Sequence, residues 1–542
     1  MQQFSLIPDS APFSNEQRAW LNGFLAGWIG LPGGPAGSAS GGNGSAAILG
    51  SPPNALAAVE EDEDFPWHDP ALPLDDRLQL AEGKPFERRL MSAMAQLDCG
   101  SCGYDCRRYA EAIASGGEKS LTLCSPGGKA TSKKLKELFS LEGAVRSNGS
   151  AHASNGSANG HSTIAAPITE SQWSRGNPFA AKIECVRNLN GVGSAKHTSH
   201  VEIDLRGSSL TYNVGDSLGI CPTNCSDLVQ TVIGELDATG EELVEIDGEP
   251  VPLRMALGQH FCLTEVTDEL LICLASRCAD ASQAAILKQL LEESEPIDGW
   301  DVLELLRRNS AIRLTASELT SSLARLKPRL YSISSSLKAH PERVHLTVGR
   351  VSWKFRDRVR KGVASTMFAD RLTTGDAVRV FVQKSHGFTV PKDQAAAAIM
   401  IGPGTGIAPF RAFLQERRAT AAIGKNWVFF GDQQASTDFL YREEFEEYLQ
   451  LGLLTRLDVA FSRDQAEKVY VQDRMLQRGE EFWHWLEEGA YLFVCGDAKR
   501  MAVDVDKMLR RIISEFGGNG PDGADDYVVR MLKDKRYCRD VY

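Results

Sequence analysis

The chain of 542 residues lacks any apolar run approaching the roughly 20 residues that a membrane-spanning helix requires. Its start lacks the basic and apolar segments of a secretory signal peptide. Positive charge is scarce, because 59 Lys and Arg residues stand against 71 Asp and Glu residues, for a formal net charge of −12. This balance argues against nucleic acid as the main partner. We therefore expect a cytoplasmic protein with neither a membrane nor a nucleic acid as partner.

Cysteine, by contrast, is present in twelve copies. In a cytoplasmic chain, cysteines serve more often as thiols or metal ligands than as disulfides. The length exceeds what one hydrophobic core supports and predicts several domains.

Composition divides the chain into six segments. Two of them, rich in Gly, Ser, Ala and Pro, read as flexible linkers. The N-terminal amphipathic helix either packs on its own domain or serves docking or oligomerisation. In chain order we predict this helix (1–31), a linker (32–64), a four-cysteine unit (65–145), a linker (146–170), a strand-rich domain with a helical insertion at about 225–315 (171–394), and a parallel α/β domain (395–542).

The most informative motif is a glycine-rich turn at residues 402–406. It follows an apolar strand pattern at 395–401 and opens into a helix pattern at 410–418. Glycines let a backbone approach a phosphate closely, and a helix N-terminus offers free N–H groups to an anion. Alone, such a turn is a weak indication of a nucleotide site.

Three further motifs add weight. Residues 329–335 (RLYSISS) combine an Arg for phosphate, a Tyr for a flat ring and a Ser for a ring nitrogen, although a plain barrel strand would look similar. Residues 362–366 (GVAST) form a small-residue turn before a helix, which is a second possible phosphate nest. Arg463 and Lys468 follow an apolar strand and could clamp a 2′-phosphate, which would select NADPH; an ordinary charged turn is the alternative.

Taken together, these motifs resemble the FAD/NADPH half of the diflavin reductases, and within that group the flavoprotein subunits of assimilatory NADPH–sulfite reductases. The resemblance covers residues 175–542 and includes 438–441 (DFLY), 495–497 (CGD) and the final 536–542 (RYCRDVY). It implies a multidomain fold. A β-barrel FAD domain with a helical insertion would precede an α/β parallel-sheet NADP-binding domain of the ferredoxin–NADP reductase type, and a small α-rich four-cysteine domain would stand before both.

The resemblance also implies roles for individual residues. Ser332, Cys495 and Asp540 would surround the point of hydride transfer. The predicted FAD residues are Thr264, Arg329, Leu330, Tyr331, Ser332, Thr347, Val348, Gly349, Trp353, Gly362, Val363, Ala364, Ser365 and Tyr542. The predicted NADP residues are Gly404, Thr405, Gly406, Ser462, Arg463, Lys468, Val469, Tyr470, Val471, Gln472 and Asp504.

The four-cysteine unit carries Cys99, Cys102, Cys106 and Cys124 in the spacing C-x2-C-x3-C-x17-C. Four thiolates on a glycine loop and after a helix can enclose a [4Fe–4S] cluster, and they also suit tetrahedral zinc. The motif is similar to a small cluster domain of membrane-bound ferredoxin oxidoreductases and corrinoid proteins, in which four residues rather than three separate the second and third cysteines. We favour the cluster.

The flavodoxin domain that diflavin reductases carry is not found before residue 175, since it needs roughly 140 residues of βαβ pattern. FMN is therefore not expected, and the cluster would replace it as the one-electron carrier. The resemblance implies a sulfite reductase hemoprotein as the acceptor. The alternatives are assimilatory nitrate or nitrite reductase, ferredoxin, or an FAD-only reductase whose zinc module docks the partner. The N-terminal helix implies a possible homo-oligomer.

Overall fold

The computed structural model describes residues 67, 72, 74–96, 102, 104–124, 126–148 (142–148 as backbone only), 172–292, 299–385, 387–518 and 520–542. The chain divides into compact units 1–64 and 65–542, and the described residues all belong to the second. The predicted N-terminal helix, the first linker, Cys99 and most of the second linker lie outside the described residues. Within the described ranges, no helix is both long and apolar enough to cross a bilayer.

The four-cysteine unit is built from helices throughout its described part. Their apolar faces share one small core, to which Leu90, Tyr109 and Leu135 contribute. Asp105 caps the third helix by accepting a hydrogen bond from the Arg108 N–H at 2.6 Å, and Gly116 ends that helix in the left-handed conformation. The helices are α1 (Leu74–Leu80), α2 (Phe86–Ser92), α3 (Cys106–Ser115) and α4 (Gly128–Asn148).

Six antiparallel strands form the next domain, in the order β6-β3-β10-β1-β2-β7. An antiparallel bridge between Ile333, just after β6, and Leu346 in β7 joins the two edges and closes the sheet into a barrel. Its strands are β1 (Phe179–Asn188), β2 (Thr198–Asp204), β3 (Ser217–Cys221), β6 (Arg329–Ser332), β7 (Arg343–Gly349) and β10 (Ala377–Gln383).

A helical insertion between β3 and β6 has its own leucine-rich core. It contains α5 (Ser226–Glu235), the hairpin β4 (Leu243–Ile246) and β5 (Glu249–Pro252), α6 (Leu253–Gln259), α7 (Asp268–Arg277), α8 (Ala281–Glu292), α9 (Val302–Arg308) and α10 (Ala316–Ser321). A second hairpin and a helix follow β7: β8 (Ser352–Phe355), β9 (Arg358–Lys361) and α11 (Val363–Asp370).

The last domain is a five-stranded parallel sheet in the order β13-β12-β11-β14-β15, with an apolar core on each face. Because the strand order reverses direction at β11, a crevice opens at the carboxyl ends of β11 and β14. The strands are β11 (Ala398–Ile401), β12 (Asn426–Asp432), β13 (Arg456–Phe461), β14 (Tyr491–Gly496) and β15 (Tyr537–Val541). The helices are α12 (Ala408–Ala419), α13 (Ala435–Asp438), α14 (Arg442–Gln450), α15 (Val471–Gln477), α16 (Gly479–Glu487), α17 (Met501–Phe516) and α18 (Gly520–Lys533).

The predicted fold class is confirmed: helices in the four-cysteine unit, an antiparallel barrel with a helical insertion, and a parallel α/β sheet. The apolar patterns of the sequence did not predict β15 or the β8–β9 hairpin. Both are rich in charged or exposed residues, so their strand conformation follows from pairing with a neighbour rather than from an apolar pattern.

Candidate functional site

The barrel and the parallel sheet meet at a group of three side chains. Ser332 ends β6 of the barrel, whereas Cys495 and Asp540 lie opposite each other on β14 and β15. The Ser332 hydroxyl donates to Asp540 Oδ2 at 2.7 Å, and the Cys495 thiol donates to the same oxygen at 3.7 Å. The structure thus brings together the three residues predicted to surround the point of hydride transfer.

Burial raises the pKa values of two members of this group, Asp540 and Cys495. It raises the pKa of Asp540 despite the hydrogen bonds from Ser332 and Cys495, which act in the opposite direction. Burial, followed by the neighbouring Asp540, raises the pKa of Cys495 well above that of an ordinary thiol. Cys495 is therefore a neutral thiol at neutral pH and not a nucleophilic thiolate.

The glycine-rich turn lies beside this group, at the carboxyl end of β11. It forms one turn of 3₁₀-helix, Gly404–Ile407, that continues into α12 without a side-chain cap. Uncapped N–H groups at a helix start suit an anion. Gly404 has a φ of +57°, and a Cβ on Gly406 would lie 2.1 Å from the carbonyl oxygen of Cys495. Glycine at 406 is thus required by packing against β14.

The residues predicted to recognise a 2′-phosphate follow β13, next to the end of β12. The N–H groups of Ser462 and Arg463 donate to the carbonyl oxygens of Asp432 and Gln433 at 2.9 and 2.8 Å, which fixes the turn. The side chains of Arg463, Lys468 and Tyr470 are exposed, Val469 and Gln472 are half-buried, and Val471 is buried in the core. Asp504 is exposed in the first turn of α17.

Of the predicted FAD residues on β6, Arg329 donates to the carbonyl oxygens of Lys327 and Pro328, at 3.0 and 3.4 Å. Tyr331 packs edge-on against Phe368 with the ring centroids 6.2 Å apart, and Leu330 is half-buried. The guanidinium of Arg329 and the ring of Tyr331 are therefore half-open beside Ser332.

A second group of predicted FAD residues surrounds a cavity of about 480 Å³, which Thr264, Trp353 and Val363 help to line. Trp353 is 48% exposed on β8, so its ring is available to stack on a flat ligand. Gly362 is the N-cap of α11 and offers no side-chain cap, while Ala364 and Ser365 in the first turn are buried. The free N–H groups of this helix start suit an anion, as those of the glycine-rich turn do.

Of the three predicted FAD residues on β7, Thr347 and Val348 direct their side chains to other protein groups, and Gly349 has no side chain. The Thr347 hydroxyl lies 2.7 Å from the Tyr441 hydroxyl of the last domain, and Val348 belongs to the barrel core. A Cβ on Gly349 would lie 3.3 Å from Thr405, so β7 passes close to the glycine-rich turn. Tyr542 approaches the same turn, with its hydroxyl 3.1 Å from Thr405 Oγ1.

Sequence analysis assigned no role to His200, Arg411 or Tyr441. All three are buried where the barrel meets the last domain. Arg411 lies in the helix pattern at 410–418 and Tyr441 in the segment 438–441 that carries the family resemblance, so the available indication was the motif itself.

The three described cysteines of the four-cysteine unit, Cys102, Cys106 and Cys124, lie around one core. Cys106 is the first residue of α3, and Cys106 and Cys124 are both buried, with Cys102 packed against the same cluster. Tyr109 fixes the approach to Cys124, because its hydroxyl donates to the Ser120 carbonyl at 2.8 Å and accepts from the Leu123 N–H at 3.1 Å. Among the described residues, which omit Cys99, no group of three or more ligating side chains comes close enough to hold a metal ion.

Three family models match the chain: an FAD binding domain at 171–367, an oxidoreductase NAD-binding domain at 400–507, and a model described as "Putative Fe-S cluster" at 94–126. A sulfite reductase [NADPH] flavoprotein alpha-component from Bacillus subtilis is 45% identical over 406 residues, which is 74% of this chain and 67% of the relative. The chain belongs to the NADPH–sulfite reductase flavoprotein family.

Other members of this family are similarly related. The alpha-component from Vibrio cholerae is 44% identical over 377 residues, and that from Pectobacterium atrosepticum is 42% identical over 379 residues. The chain spans only 61% of each of these two relatives. The match to the iron–sulfur model covers residues 94–126, in the four-cysteine unit that precedes the barrel.

Proposed function

We propose that the protein is an NADPH-dependent flavoprotein oxidoreductase that passes electrons from NADPH through FAD and a [4Fe–4S] cluster to a sulfite reductase hemoprotein, in assimilatory sulfite reduction. One observation carries the proposal. Ser332 of the FAD-type barrel is hydrogen-bonded to Asp540 of the NAD-type sheet, next to Cys495 and the glycine-rich turn. Two cofactor domains therefore meet at a single polar group.

The residues of the last domain fit a dinucleotide. The uncapped turn at Gly404–Ile407 would hold the pyrophosphate through backbone N–H groups. Arg463 and Lys468, exposed at the end of β13, would bind the 2′-phosphate with Tyr470 and Gln472 beside them, and Asp504 would make a further contact. Their positive charge favours NADPH over NADH.

The barrel residues fit FAD. Arg329 and the N-terminus of α11 at Gly362 would hold the phosphates, while Tyr331 and Trp353 would contact the rings. Thr264 and Val363 line the same cavity. Thr347, Val348 and Gly349 would contribute through the backbone of β7, since two of these side chains point to other partners. Bound FAD would supply the capacity to accept a hydride and release single electrons.

The side chains at this site would orient the two reacting rings and donate hydrogen bonds to them. The Ser332 hydroxyl has one hydrogen, which it donates to Asp540 in the structure. With FAD bound, the hydroxyl would turn from Asp540 and donate this hydrogen to the ring nitrogen that changes protonation. Cys495, a neutral thiol, would pack against the nicotinamide ring without nucleophilic attack. Tyr542 would cover the flavin face and move aside for the nicotinamide. These groups supply alignment rather than acid–base catalysis.

The donor set of the four-cysteine unit suits an iron–sulfur cluster in its chemistry, because cysteine thiolates are the usual ligands of such clusters. Cys102, Cys106 and Cys124 share one small core, and Cys106 begins a helix, where a thiolate is stabilised. Cys99 would be the fourth ligand. A bound [4Fe–4S] cluster would carry one electron at a time and so take the place of FMN, which we do not expect in this chain. Zinc in the same four cysteines is the alternative, and it would make the unit a docking module.

The acceptor is proposed from the family. The relatives are named as the alpha-component of sulfite reductase, which implies a separate hemoprotein. Nitrate or nitrite reductase and ferredoxin are the alternative acceptors. We further propose that residues 1–31 serve homo-oligomerisation and that the protein is cytoplasmic.

The deciding experiment is anaerobic purification with iron, zinc, FAD and FMN quantified, followed by stepwise NADPH addition monitored by EPR. We expect about four irons per chain, FAD without FMN, and a reduced-cluster signal after NADPH or, for a low-potential cluster, after dithionite. Zinc with FAD and no iron would overturn the relay. Addition of the hemoprotein should then yield sulfide from sulfite, whereas nitrite or ferredoxin reduction without sulfide would identify another acceptor.

A further inference from the structure

A buried tyrosine of the last domain reaches two strands of the barrel at once. Tyr441 lies just before α14, with a left-handed backbone (φ +55°) and 7% of its surface exposed. Its hydroxyl is 2.9 Å from Nδ1 of His200 on β2 and 2.7 Å from Oγ1 of Thr347 on β7. His200 and Thr347 are directly opposite each other in the β2–β7 register. One hydroxyl of the NADP-type domain therefore joins a cross-strand pair of the FAD-type barrel.

The direction of these hydrogen bonds follows from their partners. Burial, followed by the nearby Arg411 charge, lowers the pKa of His200 to about 3, so its ring is neutral and has one donor and one acceptor nitrogen. Nε2 lies 3.3 Å from Oε1 of Glu202, and a carboxylate can only accept. Nε2 therefore carries the hydrogen, Nδ1 accepts from Tyr441, and Tyr441 accepts from Thr347. Each group in this series of hydrogen bonds is therefore a defined donor or acceptor.

Arg411 holds the tyrosine from the other side. Its guanidinium carbon lies 4.7 Å from the centre of the Tyr441 ring, in cation–π geometry. Nε donates to Glu444 at 2.7 Å, and Nη1 donates to the carbonyl oxygen of Ser334 in the barrel at 2.7 Å. Arg411 belongs to α12, the helix that the glycine-rich turn begins. The proposed pyrophosphate site and this contact thus lie on one helix.

The segment before Tyr441 is fixed to the barrel independently. Asp438 is buried, and its Oδ1 accepts hydrogen bonds from Asn190 Nδ2, at 2.9 Å, and from the Ser194 hydroxyl. The Gly191 N–H donates to the Thr437 carbonyl at 2.7 Å. Both ends of segment 437–441 therefore contact the barrel. We name Asp438, Tyr441 and Arg411 the interdomain latch.

The latch bears on catalysis because the reacting edges are on different domains. Ser332 is two residues from Ser334, which Arg411 contacts, whereas Cys495 and Asp540 are on the sheet. A misplacement of about 1 Å between such edges can cost about 10²-fold in rate. We propose that Tyr441 is a positioning residue that sets the distance and angle between the nicotinamide and flavin sites, by holding the sheet domain against β2 and β7.

The test is Tyr441→Phe in the full-length, FAD-loaded protein. This variant keeps the ring and the cation–π contact but loses both hydrogen bonds. We expect stopped-flow reduction of FAD by NADPH to slow about tenfold or more, with FAD content and the NADP⁺ dissociation constant within about twofold of wild type. The deuterium isotope effect with 4-deuterated NADPH should rise, and the long-wavelength absorbance of nicotinamide stacked on flavin should weaken. In FAD-free protein, β2 and β7 should exchange amide hydrogens faster.

Tyr212→Phe is the matched control. Tyr212 is also buried, and its hydroxyl also makes two hydrogen bonds, to Ser335 Oγ at 2.7 Å and to the Arg343 carbonyl at 2.8 Å. Both bonds lie inside the barrel. We expect a comparable loss of thermal stability but wild-type hydride transfer and isotope effect. Equal slowing in both variants would reduce Tyr441 to a structural residue.

The inference rests on the proposed transfer of hydride from NADPH to FAD, and its failure is distinguishable. If NADPH does not reduce the wild type, the proposed function fails. If NADPH reduces wild type and Tyr441→Phe equally fast, only the latch fails. Should Tyr441→Phe not accumulate as folded protein, His200→Phe removes the acceptor on β2 and is expected to give the same pattern.

Discussion

The four-cysteine unit and the reductase module, which comprises the barrel, its helical insertion and the parallel sheet, differ in the size of their hydrophobic cores and in where their proposed binding residues lie. The reductase module has separate large cores for the barrel, the insertion and each face of the parallel sheet, filled by aromatic and branched residues. In its described part, the four-cysteine unit has one core of eleven buried residues, and two of these are Cys106 and Cys124. The proposed ligands are thus part of the small core, whereas the proposed FAD and NADPH residues stand at the edges of large ones.

The difference teaches where each site obtains its geometry. In the reductase module, Ser332, Cys495 and Asp540 are held by two sheets and the latch through hydrogen bonds of the protein itself. A small domain buries too little surface to be stable alone, and a bound metal group commonly supplies the remaining folding free energy. We therefore expect the four-cysteine unit to need its cluster in order to fold, and the reductase module to fold without FAD.

Cys124→Ala is the most direct test of whether the four-cysteine unit depends on its cluster while the reductase module does not. We expect all iron to be lost and the four-cysteine unit to become sensitive to protease, because the substitution removes one ligand and part of the core together. FAD content and NADPH-driven ferricyanide reduction should stay within about twofold of wild type. Cys185→Ala, a cysteine in β1 of the barrel, is the control and should retain iron. Iron that survives Cys124→Ala would contradict the ligand assignment.

Ser332→Ala sharpens the account of the preset site. Loss of a donor that acts in the transition state commonly costs about 10²-fold in rate. We expect FAD reduction by NADPH to fall by about that factor, with NADP⁺ affinity nearly unchanged, as stopped-flow and titration would show. Ser385→Ala removes a hydroxyl that donates to the Phe388 carbonyl instead, and should react normally. A decrease of less than about threefold would argue against the proposed role.

Arg463→Ala tests cofactor choice at the edge of the parallel sheet. A hydrogen bond to a charged group contributes about 1.5–3 kcal/mol, so the NADPH dissociation constant should rise about 10- to 100-fold. NADH, which has no 2′-phosphate, should bind as before. Arg442→Ala, which removes an exposed Arg paired with Glu446 on α14, is the control. Equal weakening of NADPH and NADH would place the 2′-phosphate elsewhere.

His345→Asn gives the smallest expected effect and concerns stability. Burial, followed by the Arg411 charge, lowers the pKa of His345 from 6.5 to about 2 in the folded state. The unfolded chain therefore binds a proton that the folded state refuses, so stability is present above pH 6.5 and falls on acidification. The slope approaches about 1.4 kcal/mol per pH unit below pH 6.5.

The measurement is urea unfolding of the full chain at pH 7.5, 6.5 and 5.5. His345→Asn should lose about 1 kcal/mol less than wild type between the last two values. His484→Asn, an exposed histidine on α16, should follow wild type. A wild-type slope in His345→Asn would show that His345 does not contribute to the acid sensitivity.

Sequence patterns predicted the elements better than their contacts. The apolar run at 395–401 predicted β11, because this strand carries its burial pattern in its own residues. The bond between Tyr441 and His200 joins residues 241 positions apart and leaves no periodic trace. The resemblance identified Gly406 as a phosphate contact, whereas its backbone position against Cys495 emerges only from packing. The cysteine spacing predicted which residues would be metal ligands but not how close to one another they lie.

The bond from Ser332 to Asp540 also has a kinetic meaning. It spans 208 positions of sequence and crosses two domains, each of which must close its own sheet first. Long-range contacts of this kind form after local ones, since their loop-closure entropy must be met before they contribute. During folding, the chain should therefore pass through a form in which both domains are folded and undocked. That form would bind nucleotide and flavin separately without coupling them.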